Sequence, residues 1–329
     1  GRGGSTAPRA ICHPFPGRSL RGTPQLESAL NVALPLYEQW ATAWPHWVQK
    51  RVMLRPLVGK TGERLRKSMG GEAEAEVCGV HLRRFSAEEI PSLFPKLQHE
   101  GEVITYDSCF SVELGKVLGH LAHEQERAGN RVTTEIQLVS HDHRGWVLHG
   151  ESERYTCDTL ILASGSRLQE WLPELQGEVE GGHLLTLRGA ETEWMASRGD
   201  IHWSPSPDGA VVGATRWKAN EKAMLSEEAT GILGDRGQSL VTFPVEAGVL
   251  WQGERLVSAG ERYPYAGAIP GSPCAYVLGG LGSKGLLYGP WSAESLAAHL
   301  TSSTPIHAAL SPQFTRGGQE IAISSVLGS

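Results

Sequence analysis

Residues 275–300 read as a strand, a glycine cluster and a helix, in that order. An apolar run at 275–278 leads into Gly280-x-Gly282-x-x-Gly285, and a helical segment covers about 290–300, with Pro290 in the first turn, where proline is tolerated. Glycines in such a place let backbone N–H groups come close to a phosphate or a ring carbonyl. The helix that follows turns its positive end toward the same spot. The pattern fits the glycine fingerprint of a dinucleotide site. Such fingerprints normally open a domain, and they are followed about 20 residues on by an Asp or Glu for the ribose. Here the unit sits near the end of the sequence, and the corresponding stretch HLTSSTPIHAAL has neither acid. Taken alone, the motif does not fix its ligand.

A second apolar run, CDTLILASGS, is continuous over residues 159–163 and ends in Ser164-Gly165. It predicts a strand buried on both faces, with a tight turn at its carboxyl edge. Elsewhere, Leu26, Leu30, Ala33, Leu34 and Tyr37 recur at helical spacing behind Thr23-Pro24, and Trp40, Trp44 and Trp47 extend that stripe as core. A second amphipathic helix carries Leu114, Val117, Leu118 and Leu121 and stops at Gly129-Asn130. Strands are expected at 51–58, 79–85, 103–106, 132–139 and 145–149. Strand signals then dominate residues 182–260, with a hairpin around Pro207-Asp208-Gly209.

The 329 residues suffice for one large or two interleaved domains. No run reaches transmembrane length and the start lacks the apolar block of a signal peptide, so no membrane partner is expected. Five scattered cysteines with no C-x-x-C point to a reducing, cytoplasmic setting. A net charge of −6 argues against a general nucleic-acid binder. One basic cluster stands out, comprising Lys50, Arg51, Arg55, Lys60, Arg64, Arg66 and Lys67 opposed only by Glu63. It reads first as a solvated face and second as a phosphate-contacting patch.

Other chemistries find little support. VGKTG is no phosphate loop, because Leu54 stands where its first glycine belongs. His120 with His123, and His141 with His143, lack the partners of a metal site. Ser164 and Ser283 are explained by turn chemistry, since no G-x-S-x-G elbow exists.

Four blocks taken in order, GGSTAPRAICHPFPGRSL, CDTLILASGS, GERYPYAGAIPG and GGLGSKGLLYGPWSAESLAAHL, carry a family resemblance. The chain resembles the FAD-dependent amine and amino-acid oxidases of the D-amino-acid oxidase and glycine oxidase type. Within them it is most like the oxidase half of the bifunctional enzymes that make 5-methylaminomethyl-2-thiouridine in tRNA. The resemblance implies a mixed α/β fold, in which an FAD-binding Rossmann-like domain (residues 1–45, 101–175 and 261–329) is interleaved with a β-rich substrate domain (46–100 and 176–260).

By position, Gly280, Gly282, Ser283, Lys284, Gly285 and Leu286 inherit the segment that closes over the flavin ring. Ala163 and Gly165 inherit the turn that passes the FAD adenosine and pyrophosphate, and Ser5 sits by the flavin. Arg262 inherits the arginine that pairs with a substrate carboxylate, and Lys284 adds positive charge near flavin or substrate. The implied reaction moves a hydride from the carbon beside an amine to the flavin. Water then hydrolyses the imine, and O2 reoxidises the cofactor. The implied partners are a small amine or amino acid, or, in the tRNA-modifying version, a wobble uridine losing a carboxymethyl group.

Thr6, Ala7 and Ala10 replace the family's Gly, Asn and Gly, and residues 263–267 replace its Pro-Asp-Gly-Pro run. The family's own glycine-rich βαβ unit, roughly 30 residues or more, would precede Gly1. The sequence is therefore expected to be an N-terminally truncated piece that holds FAD poorly, and a non-catalytic fragment stays open as an alternative.

Overall fold

The computed structural model describes residues 3–16, 20, 22–189, 192–199, 201–207, 209–218 and 220–315. The chain divides into two compact units, Gly1–Leu118 with Gly181–Gly253, and Gly119–Glu180 with Glu254–Ser329.

The first unit is built on a largely antiparallel sheet. Its strand Val103–Val112 pairs with Val48–Pro56, with Val80–Phe85 and with the short Ala10–Cys12. Val48–Pro56 pairs on its other side with Trp194–Arg198, in parallel. The helix Leu26–Ala43 follows the expected spacing and buries Leu26, Ala29, Leu30, Ala33 and Tyr37. Trp40, Trp44 and Trp47 continue it as a stack with ring centroids 5.9 and 6.0 Å apart, but they stay half-buried rather than joining the core. The hairpin forms between Ile201–Ser206 and Gly209–Gly213, with Ser206 opposite Gly209. Gly209 is required there, because its φ is +137° and a Cβ would lie 2.0 Å from the Leu187 carbonyl oxygen. Asp208 lies outside the described residues. The helix Ser226–Gln238 closes the core formed by Leu54, Leu187, Trp203, Val212 and Leu233.

The basic cluster does not form a single solvated face. Arg55 is 0% exposed, on the inward side of its strand, and donates to the Phe15 carbonyl (3.2 Å) and the Tyr106 hydroxyl (3.4 Å). Lys50 pairs with Glu38 and Arg66 with Glu102. Lys60, Arg64 and Lys67 remain exposed along the helix Gly59–Ser68.

The second unit holds two three-stranded sheets. One is the meander Leu138–Asp142, Gly145–His149, Arg154–Cys157. The strand expected at 132–139 therefore starts later, and Val132 is 60% exposed. The other sheet orders Tyr265–Ala268, Ala275–Gly279 and Leu160–Leu162, the last pair parallel. Leu160–Leu162 is an edge strand there among the described residues. Leu160 and Leu162 are buried but Ile161 is 42% exposed, so the expected burial on both faces does not occur. The last long helix, Gly285–Ser302, begins at the glycine cluster, which puts Pro290 inside it rather than in its first turn.

The fold class is the mixed α/β one expected. The compact units fall differently from the expected domains. Residues 1–45 and 101–118 lie in the first unit, because Ala10–Cys12 and Val103–Val112 pair within one sheet and Leu26–Ala43 packs on Val48–Pro56.

Candidate ligand site at the glycine cluster

The parallel pair Leu160–Leu162 and Ala275–Gly279 is in register with Ala275 opposite Leu160 and Val277 opposite Leu162. Both strands therefore release their glycine turns at the same, carboxyl, edge, the position at which open α/β sheets bind ligands. On one side Ala163 and Gly165 are exposed, Gly165 has φ +64°, and no atom lies within 4 Å of where its Cβ would stand. On the other side Gly280 (φ +67°) and Gly282 (φ +53°) adopt left-handed backbone that favours glycine. Ser283 is exposed. The turn Gly282–Lys284 passes directly into the helix Gly285–Ser302, whose N-terminus receives no side-chain cap. Gly285 and Leu286 supply the first helical positions.

The cluster is anchored from below. The Ser258 N–H donates to the Gly280 carbonyl at 3.3 Å, and Val257 bridges Leu281. A Cβ on Gly279 would lie 2.1 Å from Leu168 Cδ1, and one on Gly280 would lie 3.1 Å from both Ser258 Cβ and Tyr265 Cδ2. The Tyr265 hydroxyl accepts from the Ala259 N–H (2.9 Å) and donates to the Gln176 carbonyl (2.8 Å), and burial raises its pKa. The Ser258 hydroxyl is buried and has no hydrogen-bond partner among the described residues.

Arg262 and Lys284, predicted from separate blocks, meet here. Arg262 has φ +61°, an uncommon conformation for a residue with a side chain, and its N–H donates to the Ala259 carbonyl at 3.3 Å. Its guanidinium stays half-exposed. Lys284 Nζ donates to the Arg262 carbonyl at 3.4 Å and lies 5.7 Å from the ring centroids of both Tyr263 and Tyr288. Burial, and then the charge of Arg262, lower the lysine pKa. Lys284 is thus a held cation rather than a freely solvated one. A cavity of about 200 Å³ opens beside them, lined by Glu261, Tyr263 and Tyr265 and by Ser311–Gln313. It is smaller than the ~300–1,000 Å³ of sites for drug-sized ligands.

Sequence reasoning missed Glu180, Arg255, Ser258, Tyr263 and Tyr288. Glu180, Arg255, Ser258 and Tyr263 acquire their roles through partners distant in sequence, whereas Tyr288 stands only four residues after Lys284. Ser5 belongs to the first unit, on the exposed turn Gly4–Thr6, whereas every other predicted site residue belongs to the second. No group of three or more His, Cys, Asp or Glu that could hold a metal occurs among the described residues. Nor is any helix there long and apolar enough to cross a membrane.

The family described as FAD dependent oxidoreductase matches residues 1–299. The tRNA 5-methylaminomethyl-2-thiouridine biosynthesis bifunctional protein MnmC of Maricaulis maris is 29% identical over 155 residues, covering 46% of this chain and 25% of that protein. The chain thus spans well under half the length of this curated relative. Glycine oxidase from Geobacillus kaustophilus superposes with a TM-score of 0.78 at 18% identity, covering 96% of this chain and 90% of that one. Iminodiacetate oxidase from Chelativorans sp. BNC1 gives 0.73 at 16% identity, covering 94% and 90%. These two structures share the fold.

Proposed function

Because this chain belongs to the family of FAD-dependent oxidoreductases, we propose that it oxidises the C–N bond of an amine or amino acid that carries a carboxylate. The observation that carries this reading is the convergence of Arg262 and Lys284 beside the glycine cluster in the second unit. A guanidinium with free donors suits a carboxylate, and a planar fork fixes the direction of the attached amine.

The site's features fit a flavin. Left-handed backbone at Gly165, Gly280 and Gly282, open space where a Cβ on Gly165 would stand, and a helix N-terminus without a side-chain cap suit a flat, polar ring and its phosphates. Gly280, Gly282, Ser283, Gly285 and Leu286 would hold the ring side through backbone N–H groups. Ala163 and Gly165 would pass the adenosine and pyrophosphate. When bound, FAD supplies the hydride acceptor. The protein's own work is positional. Arg262 orients the substrate, Lys284 adds positive charge, and the Tyr263 and Tyr288 rings shield that charge from water. No acid–base dyad is needed for that division of labour, since the amine need only arrive neutral. In this reading the second unit carries most of the cofactor contacts. The five free cysteines support a cytoplasmic setting.

The named relatives support the substrate class. Glycine and iminodiacetate, in the names of two proteins of the same fold, are both amines bearing carboxylates. A second reading is a tRNA wobble uridine that loses a carboxymethyl group. The relative from Maricaulis maris and the exposed Lys60, Arg64 and Lys67 favour it. Peroxide release from the FAD-loaded chain separates the readings. Turnover of glycine, sarcosine or iminodiacetate is expected under the first. Activity confined to tRNA bearing a carboxymethylaminomethyl uridine would establish the second. Absence of both would leave a non-catalytic fragment.

A further inference from the structure

Glu180 is 3% exposed, and it faces two arginines unequally. Arg255 Nη2 donates to Glu180 Oε2 at 3.1 Å, a normal hydrogen bond. Arg262 Nη2 stands 3.9 Å from Oε1, beyond hydrogen-bond range but close enough for strong electrostatic interaction. The first contact gives the buried carboxylate a charge-assisted hydrogen bond at Oε2. The second leaves the Arg262 guanidinium without a side-chain hydrogen bond among the described residues and 53% exposed, while its backbone is pinned at φ +61°. Lys284 adds a further positive charge from the Arg262 carbonyl side. Two arginines therefore face one buried anion, and Arg262 is the more exposed of the two, at 53% against 35% for Arg255.

We infer that Glu180 is a specificity-determining residue that sets how strongly Arg262 holds a carboxylate. The inference rests on the reading of Arg262 as the carboxylate anchor. Glu180 draws the guanidinium without occupying its donors, and so fixes where the fork points. Its negative charge also repels any anion that binds there. That repulsion weakens adventitious anions, which offer one contact, more in proportion than a carboxylate that engages both arms of the fork. The sign follows from charge alone. Removing the Glu180 charge while keeping its shape and an acceptor for Arg255 makes the potential at Arg262 more positive, so anions bind more tightly.

The test is acetate binding to the intact chain at fixed ionic strength, followed by NMR, for the parent, Glu180→Gln, Arg262→Gln and the double variant. Glu180→Gln is expected to tighten acetate by on the order of fivefold. Arg262→Gln is expected to abolish the site, and the double variant is expected to match Arg262→Gln. A merely structural role for Glu180 would loosen binding or leave it unchanged, and either result with Arg262→Gln still weakened overturns this inference alone. Unchanged acetate affinity in Arg262→Gln overturns the anchor reading, and this inference with it. Should Glu180→Gln unfold, Glu180→Asp withdraws the charge from Arg262 by one methylene. It is expected to shift affinity the same way by a smaller factor, and weaker binding would count against the inference.

Discussion

A Gly280→Val chain is expected to unfold about 3 kcal/mol more easily than the parent and to lose the ligand site at the glycine cluster. Two costs add. At φ +67° any L-residue pays about 1–2 kcal/mol for left-handed backbone. The new Cβ then meets Ser258 Cβ and the Tyr265 ring at 3.1 Å, and overpacking of a fixed surround costs about 1–3 kcal/mol. Neither neighbour can yield. The Ser258 N–H is bonded to the Gly280 carbonyl itself, and the Tyr265 hydroxyl is tied at both its donor and its acceptor side. Gly285→Ala is the contrast, since its Cβ would meet Leu281 at an ordinary 3.5 Å inside a helix. Urea unfolding of both variants checks the claim. Equal midpoints for Gly280→Val and the parent would show that the crowding is not real.

Replacing Arg9 by Met is expected to destabilise the first unit by a similar amount. Arg9 is 3% exposed and donates to Pro205 O (2.6 Å), Ser111 Oγ (3.1 Å), Gln49 Oε1 (3.4 Å) and Glu113 Oε1 (2.7 Å). Burial lowers its pKa, and Glu113 works against that shift. A buried arginine is itself no proof of stability, because desolvation offsets much of the attraction. Removing it from a formed network is costly, about 3–5 kcal/mol, because the partners stay behind unpaired. Glu113 is 20% exposed and can recover some hydration, so the lower end, about 3 kcal/mol, is expected. Lys50→Met breaks only the exposed pair with Glu38 and should change little. The measurement is again denaturant unfolding, and a loss below about 1 kcal/mol for Arg9→Met would mean the network adds nothing net.

What was legible in the sequence was local. Gly165, Gly280 and Gly282 are needed for backbone conformations that a few residues determine, and the helix Leu26–Ala43 follows from spacing, whereas Gly285–Ser302 starts ahead of the expected 290–300. The pairing of Arg262 with Lys284 was legible only as two adjacent family blocks. Features set by distant pairing were hidden. Ile161 is exposed because its face of the strand Leu160–Leu162 is left partly uncovered, while Leu160 and Leu162 are buried on the other, which no apolar run can announce. The grouping of residues 1–45 with the first unit depends on Ala10 lying opposite Val112, roughly a hundred residues away. Arg55 left the basic cluster because the inward face of its strand is fixed by pairing with Val103–Val112. Glu180 was hidden for the same reason, since its two arginines lie on the far side of the chain in sequence.

The central claim, that residues 280–286 form the contact to a flavin ring, is tested most directly with the ring alone. Lumiflavin has no adenosine or pyrophosphate, so it reports on this segment independently of every other cofactor contact. Titrated into the isotope-labelled chain, it is predicted to shift the amide resonances of Gly280, Gly282, Ser283 and Gly285 saturably, with those of the meander Leu138–Asp142 to Arg154–Cys157 unmoved. Saturable shifts elsewhere with these four amides unchanged, or no shift at all, would contradict it.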